Sequence, residues 1–340
     1  RKMVALNCKN NSLIVLRSTL KLGTTEWIYK NIFKKNKLDI DMAFCPERTL
    51  EGKALLELNS LPQIVGGIND RSSLRASTLF QFVTPTIVRV ADTITAEMIK
   101  LIDNTSRDVG FALSNEIALF CDKLGISATE VINLGKLGYN RTNLFMPGPV
   151  GGPCLSKDPH ILLESVGEYI NVKSTIVSAA RTVNESQPKL VGNLMSQFIK
   201  KYLNNKNLKK ICLLGIAFKG KPETDDLRGS MAYPVFDALK KYFSEADFYG
   251  FDKVVNSSEI EKFGLKYVDS IDDAFLNSDL VVILNNHKYF ETMDIEKLSQ
   301  IMNKKSFIYD FWNNYEYKKL SLPRDVFYVG LGNINIEKGK

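Results

Sequence analysis

Hydrophobic periodicity switches twice along this chain, and those switches restrict the fold more tightly than any single motif. In residues 1–90, short runs rich in β-branched side chains, at 12–18, 41–45, 63–68 and 86–90, alternate with helical stretches. That alternation is the pattern of parallel βαβ units, because a parallel connection needs a long crossover and a helix usually fills it. Over 91–203 strand signals almost vanish and helical periodicity takes over, with one helix predicted from Thr93 or Thr95 towards Gly125 and another over 172–203. Pro188 lies inside the second and predicts a kink or break, since its ring clashes with the preceding turn and it lacks an N–H. From about Leu208 the βα pattern resumes, with strands predicted at 209–218, 246–251, 280–284, 306–311 and 326–329 and a helix over 230–242. The expected fold class is α/β: two doubly wound Rossmann-like domains joined by an all-helical central domain, with boundaries at 1–90, 91–205 and 206–340.

Composition narrows the function classes. The chain has 45 basic and 38 acidic residues, a net charge of +7, with neither contiguous basic tracts nor finger-like Cys/His spacing, so no nucleic-acid partner is expected. The excess suits an anionic small molecule and equally a weakly basic surface without function. No run of eighteen apolar residues and no leader pattern occur, which leads us to expect a cytoplasmic protein with no membrane partner. Five scattered cysteines without a CxxC pair and two histidines argue against a disulfide framework and against a metal site.

Four clusters could carry chemistry. The densest is 147–159, PGPVGGPCLSKDP, a rigid glycine- and proline-rich loop around Cys154, with Lys157 three residues on and Asp158 beside it. A thiol near a lysine is a candidate nucleophile because a cation raises the thiolate fraction; a buried structural cysteine is the competing reading. On the first long helix Glu97, Lys100, Asn104 and Asp108 fall at i, i+3, i+7 and i+11, so ammonium, amide and carboxylate share one face, as a site or as an ordinary solvated face. The third cluster, 17–23 (RSTLKLG) with 45–52 (CPERTLEG), follows two predicted strands, where open α/β sheets bind ligands and where turn residues are polar in any case. The fourth, 218–230 (FKGKPETDDLRGS), leads Lys219, Lys221 and Arg228 to a helix start suited to phosphate. No complete GxGxxG fingerprint occurs; Gly215 stands alone after its strand and Gly66 with Gly67 lacks the third glycine.

In this order, RSTLKLGTTE, CPERTLEG, AEMIKLIDN, PGPVGGPCLSKDP and GIAFKGKPETDDLRGS resemble the motifs of the UDP-glucose/GDP-mannose dehydrogenase family, the nucleotide-sugar 6-dehydrogenases, over nearly the whole chain. The resemblance implies an NAD-binding Rossmann domain, a long-helix central domain that makes a homodimer, and a C-terminal UDP-sugar-binding domain. It implies NAD as cofactor and a four-electron oxidation of the sugar C6 alcohol to a carboxylate. Cys154 would attack the C6 aldehyde to give a thiohemiacetal and then a thioester. Lys100 and Asn104 would stabilise oxyanions, Asp158 with Thr19 would assist water, and Glu47 would be the base for thioester hydrolysis. Substrate contacts are implied for Arg17, Arg48, Thr49, Leu50, Asn143, Gly148 and Gly151. Phe218 and Lys219 would lie near the pyrophosphate or uracil, and Arg141 would reach a neighbouring subunit's substrate. Ser18, Glu51, Lys157 and Arg228 are implied on the NAD side.

Three features depart from the family pattern. The loop PGPVGG is one residue shorter than the commoner PGPGVGG. YDFWNN at 309–314 has no arginine where UDP-glucose dehydrogenases carry one. The opening βαβ unit with its GxGxxG is missing, so residues 12–18 match a strand late in the NAD domain, and the chain is expected to be a fragment with that first domain truncated. The stretch 45–67 looks more like the UDP-N-acetylhexosamine branch (N-acetylmannosamine or N-acetylglucosamine), whose uronic acids serve capsule, O-antigen or envelope glycans. UDP-glucose 6-dehydrogenase and a catalytically silent nucleotide-sugar-binding or dimerisation module are the alternatives.

Overall fold

The computed structural model describes residues 7–334. They form two compact units: residues up to Arg107 together with Lys157–Ser178, and Asp108–Ser156 together with the chain from Ala179 onward.

The first unit carries a four-stranded sheet in the order β1 (Leu13–Leu16), β2 (Asp41–Phe44), β3 (Gln63–Gly67), β4 (Ile87–Arg89), so each predicted run is a strand. β1 with β2 and β3 with β4 are parallel as expected, whereas β2 and β3 are antiparallel, paired at Ala43↔Gly67 and Phe44↔Gly66. The reason lies in the connection. It holds only the Ala54–Ser60 helix of 7 residues, about 10 Å long at 1.5 Å per residue, and Gln63 at the start of β3 donates its amide to the Pro46 carbonyl just beyond β2. The chain therefore turns back at the end of β2 instead of crossing the sheet face. The Asp70–Phe80 helix, capped by the Asn69 side chain, packs Ala76 and Phe80 on Ala43, Cys45 and Val65. Gly66 leaves room for the long helix, since a Cβ there would lie 2.8 Å from the Ala96 Cβ.

Two long helices dominate the stretch 93–202. Thr93–Leu124 is unbroken, with residues in both units. Ile176–Tyr202 is also continuous: Pro188 sits inside it, and of the kink or break expected there the break does not occur. Pro188 is buried with Asn184, Gln187 and Val191, and the packing of that face holds the helix across the lost hydrogen bond. Two shorter helices, Ala128–Lys136 and Asp158–Ile170, complete the stretch.

The second unit contains a six-stranded, wholly parallel sheet in the order β10-β9-β8-β5-β6-β7, from β5 (Lys210–Leu214), β6 (Asp247–Phe251), β7 (Lys266–Tyr267), β8 (Leu280–Ile283), β9 (Ser306–Asp310) and β10 (Val326–Gly330). Read from β7 across to β10, this is the doubly wound order, with its switch point between β5 and β8. Side chains alternate between two apolar layers. Ile211, Leu213, Val282 and Phe307 face Val191, Met195 and Phe198 of the Ile176–Tyr202 helix, while Cys212, Leu214, Val281 and Ile308 face Phe275, Phe290 and Leu298.

Candidate active site

In the first unit the residues that follow β1 and β2 converge. Arg17 pairs with Glu47 at 2.7 Å and donates to the Gln63 side-chain oxygen at 3.2 Å and to the Cys45 carbonyl at 3.3 Å. The Thr49 N–H donates to Glu47 Oε1 at 2.9 Å. Burial pushes the Glu47 carboxyl up, but the hydrogen bonds from Thr49 and the Arg17 guanidinium outweigh it and hold the group below its ordinary value, so it is ionised at neutral pH. Two residues of the long helix grip the same loop: Lys100 donates to the Glu47 carbonyl, and Asp103 lies 3.7 Å from Arg48, which also donates to the Pro62 carbonyl. Leu50 N–H is taken by Glu57 at 2.6 Å. Gln63 had no sequence signal beyond being a polar residue at the head of a buried strand.

One turn further along that helix, Asn104 Nδ2 donates to Asp158 Oδ2 at 2.6 Å. The Thr19 hydroxyl donates to the same oxygen at 3.3 Å, and Lys157 Nζ lies 2.5 Å from Oδ1. Asp158 is fully buried and opens the Asp158–Ile170 helix, where the helix dipole favours a carboxylate. Thr19, Lys100, Asn104, Asp158, Lys157 and Glu47 thus form two adjoining clusters on successive turns of one helix, and the solvated-face reading fails. Lys100 and Asn104 are half-buried, and Glu97 and Asp108 are buried. Glu97 accepts the N–H groups of Gly23 and Thr25 and the Thr25 hydroxyl, which fixes the start of the Thr24–Ile28 helix; burial still pushes its carboxyl up. Ser18 and Glu51 are exposed.

Cys154, in the second unit, is exposed, whereas Cys121 and Cys212 of that unit and Cys45 of the first are buried. Burial pushes the Cys45 and Cys212 thiols up to about 12, which leaves them inert as nucleophiles. The loop before Cys154 is held by close glycine contacts. A Cβ on Gly148 would come within 2.9 Å of the Trp312 ring, and one on Gly152, at φ 93°, within 2.5 Å of the Phe218 ring. Gly151 approaches the Gly229 carbonyl, which accepts the Gly152 N–H at 2.7 Å. The Trp312 indole N–H donates to the Leu284 carbonyl, so the cysteine loop lies at the carboxyl edge of the second sheet beside its switch point. Lys219 sits 5.1 Å over the Phe218 ring, Arg228 pairs with Asp226 at 2.6 Å, and Lys221 pairs with Glu291. Arg141 is exposed and stacks on Tyr139, and Asn143 is exposed.

Among the described residues no group of three His, Cys, Asp or Glu side chains could hold a metal ion, and no helix is long and apolar enough to cross a membrane.

Comparison with known proteins gives a consistent result. Residues 1–84, 94–186 and 212–317 match the NAD binding, central and UDP binding domains of the UDP-glucose/GDP-mannose dehydrogenase family. The UDP-N-acetyl-D-mannosamine dehydrogenase of Methanococcus vannielii is 35% identical over 296 residues, covering 86% of this chain and 64% of its own length. The enzyme of that name from Campylobacter jejuni is 32% identical over 317 residues, covering 87% of this chain and 74% of its own. The solved UDP-D-ManNAc dehydrogenase of Pyrococcus horikoshii superposes with a TM-score of 0.84 at 28% identity, covering 98% of this chain and 76% of that one. The chain thus spans 64% of the length of the archaeal relative.

Proposed function

The chain belongs to the UDP-glucose/GDP-mannose dehydrogenase family, and on that premise we propose that the protein oxidises the C6 hydroxyl of a UDP-N-acetylhexosamine, UDP-N-acetylmannosamine or UDP-N-acetylglucosamine, to the uronic acid with NAD. The observation that carries this reading is the buried Asp158 carboxylate bound by Asn104, Thr19 and Lys157, one helical turn from Lys100 on the Glu47 loop. The names of the relatives support the N-acetylhexosamine, and we assign its uronic acid to surface polysaccharide.

The chain's own groups divide the work. Cys154 Sγ adds to the C6 aldehyde carbon to form a thiohemiacetal; loss of the second hydride leaves a thioester, and water then expels the thiolate. Lys100 and Asn104 supply a charge and an amide dipole to the oxyanions of these adducts. Asp158, with both oxygens acting as acceptors, takes protons from the hydroxyl or water together with Thr19, and ionised Glu47 is the base for hydrolysis. NAD, when bound, would supply the hydride acceptor for both oxidations. For that group the fit is partial: exposed Ser18 after β1, Glu51, Lys157 and Arg228 offer a hydroxyl and charges of the kind ribose and phosphate take, while the turn at 17–23 contains a single glycine and makes no pyrophosphate cradle.

Leu113, Phe120 and Leu124 recur on one face of the long helix and are 49%, 56% and 72% exposed, which supports a homodimer through the central helices. All five cysteines are free thiols, which supports a cytoplasmic setting. The test is NAD+ reduction by the full-length protein with UDP-N-acetylmannosamine, UDP-N-acetylglucosamine and UDP-glucose. Two NADH per N-acetylhexosamine, abolished in Cys154→Ala, is the expected result. Unchanged turnover in that variant sinks the thioester mechanism, and a preference for UDP-glucose sinks the assigned sugar.

A further inference from the structure

One buried chain of polar side chains in the second unit fixes both ends of the loop that carries Cys154. At the leading end the Asn115 side chain pairs with both backbone groups of Gly148: Oδ1 accepts its N–H at 2.9 Å and Nδ2 donates to its carbonyl at 3.1 Å. Asn115 Nδ2 also donates to Asn184 Oδ1 at 3.1 Å, and Asn184 Nδ2 donates to Asp108 Oδ1 at 2.8 Å and to the Asp108 carbonyl at 2.9 Å. Arg181 then donates to Asp108 Oδ1 at 2.6 Å and, through the same nitrogen, to the Leu155 carbonyl at 3.2 Å, one residue after Cys154. Asp108 and Asn115 lie seven residues apart on Thr93–Leu124, and Arg181 and Asn184 three apart on Ile176–Tyr202, so each pair occupies one helix face.

These four residues are between 0% and 5% exposed. Two helices could pack through an apolar layer, and a buried polar layer is costly unless its members are bonded. This layer is bonded throughout except for Asp108 Oδ2, which takes no hydrogen bond among the described residues. The buried Gly148 N–H and carbonyl belong to no strand or helix, and Asn115 supplies them with the partners a neighbouring strand would. Arg181 spreads its fork over Asp108, the Leu155 carbonyl and Glu185, which a lysine cannot reproduce.

We infer that Asn115, Asn184, Asp108 and Arg181 are positioning residues that set the place of the Cys154 thiol by holding Gly148 and Leu155 on one rigid frame. The inference rests on Cys154 being the nucleophile, as proposed above. It requires that damage to the frame lower kcat while leaving KM for the nucleotide sugar nearly unchanged, because the frame acts on the thiol.

The test uses the full-length protein and two measurements. Hydrogen exchange on the unmodified protein should show the bonded amides of the loop, Gly148, Gly152 and Ser156, protected as deeply as those of the helices at 108–124 and 179–199. Fast exchange there overturns the frame whether or not any variant folds. In Asn115→Ala and in the charge-conserving Arg181→Lys, kcat should fall about 10²-fold with KM within about threefold, the size of loss expected from a reacting group displaced by an ångström. A folded Asn115→Ala or Arg181→Lys with unchanged kcat overturns the positioning role. If Cys154→Ala retains turnover, the nucleophile reading falls and the positioning role with it, while the exchange pattern still reports whether the loop is framed.

Discussion

Replacing Asp158 by asparagine keeps its shape and changes what it can accept. The carboxylate has one oxygen on Asn104 and Thr19 and the other on Lys157. Asparagine can satisfy the first pair with its carbonyl, but its NH2 then meets the Lys157 ammonium, donor against donor. The Lys157 side chain is 52% exposed and can swing into water, so this orientation is the one adopted. The change turns two charge-assisted hydrogen bonds into neutral ones, at about 1 kcal/mol each. It also removes a half-exposed ion pair worth about 0–1 kcal/mol and a helix-start charge worth about 0.3–1 kcal/mol. The sum is about 2–4 kcal/mol, less than the roughly 5–15 kcal/mol that holds an ordinary domain together, so Asp158→Asn should fold. Its catalytic loss should be larger: removing a group that takes a proton in the reaction lowers kcat about 10²–10⁴-fold, or about 3–5 kcal/mol of barrier. Urea melts and NADH formation with the preferred UDP-sugar separate the two quantities. A stably folded Asp158→Asn with kcat close to that of the unmodified protein makes Asp158 a structural helix start and removes it from the chemistry.

Two further outcomes follow from particular contacts. Burial pushes the Asp122 carboxyl up to about 6, although it accepts the N–H groups of Ile334 and Gly332. A folded value raised above the unfolded 3.8 gives stability that is fully present below 3.8 and is lost as pH rises through about 6. The loss is about 3 kcal/mol over that window. Stabilities from urea melts should therefore show Asp122→Asn gaining about 2–3 kcal/mol on the unmodified protein between pH 4 and 7, and a constant difference refutes the assignment. Phe120→Asp places a charge in the exposed apolar row of the long helix, so sedimentation should show a dimer becoming a monomer; an unchanged mass moves the interface elsewhere.

Much of the fold was legible because the strands are short β-branched runs, and their burial follows directly from composition. The predicted 280–284 is β8 (Leu280–Ile283), and 306–311 is β9 (Ser306–Asp310). Strand direction was not legible in the first sheet: the letters of β2 and β3 record burial on both faces, which parallel and antiparallel pairs share. The break that Pro188 allowed for is absent for a related reason, since local propensity says nothing of the packing on Asn184, Gln187 and Val191 that keeps the helix whole. The residues that gather around Asp158 and Glu47 stand in the ordered motifs. Gln63, Asn115, Arg181 and Asn184 were missed because each is unremarkable where it stands, and its partner lies far along the chain, 69 residues away for Asn115 and Asn184.

The polar face of the long helix shows what decides between water and function. Its four residues read alike in sequence, and a solvated face would account for their spacing as well as a site does. The number of donors that converge on each carboxylate separates the two. Glu97 accepts three donors from the turn at Gly23–Thr25, and Asp108 takes Arg181 and Asn184 on a single oxygen. Asn104, between them, spends its amide on a carboxylate, Asp158, that two other donors also hold. A carboxylate in water has no need of such an array, and fixing several donors around one costs conformational entropy that only burial or chemistry offsets. On the proposed mechanism one face serves three ends in succession: Glu97 anchors a helix, Lys100 and Asn104 address the reacting groups, and Asp108 steadies the loop of the thiol.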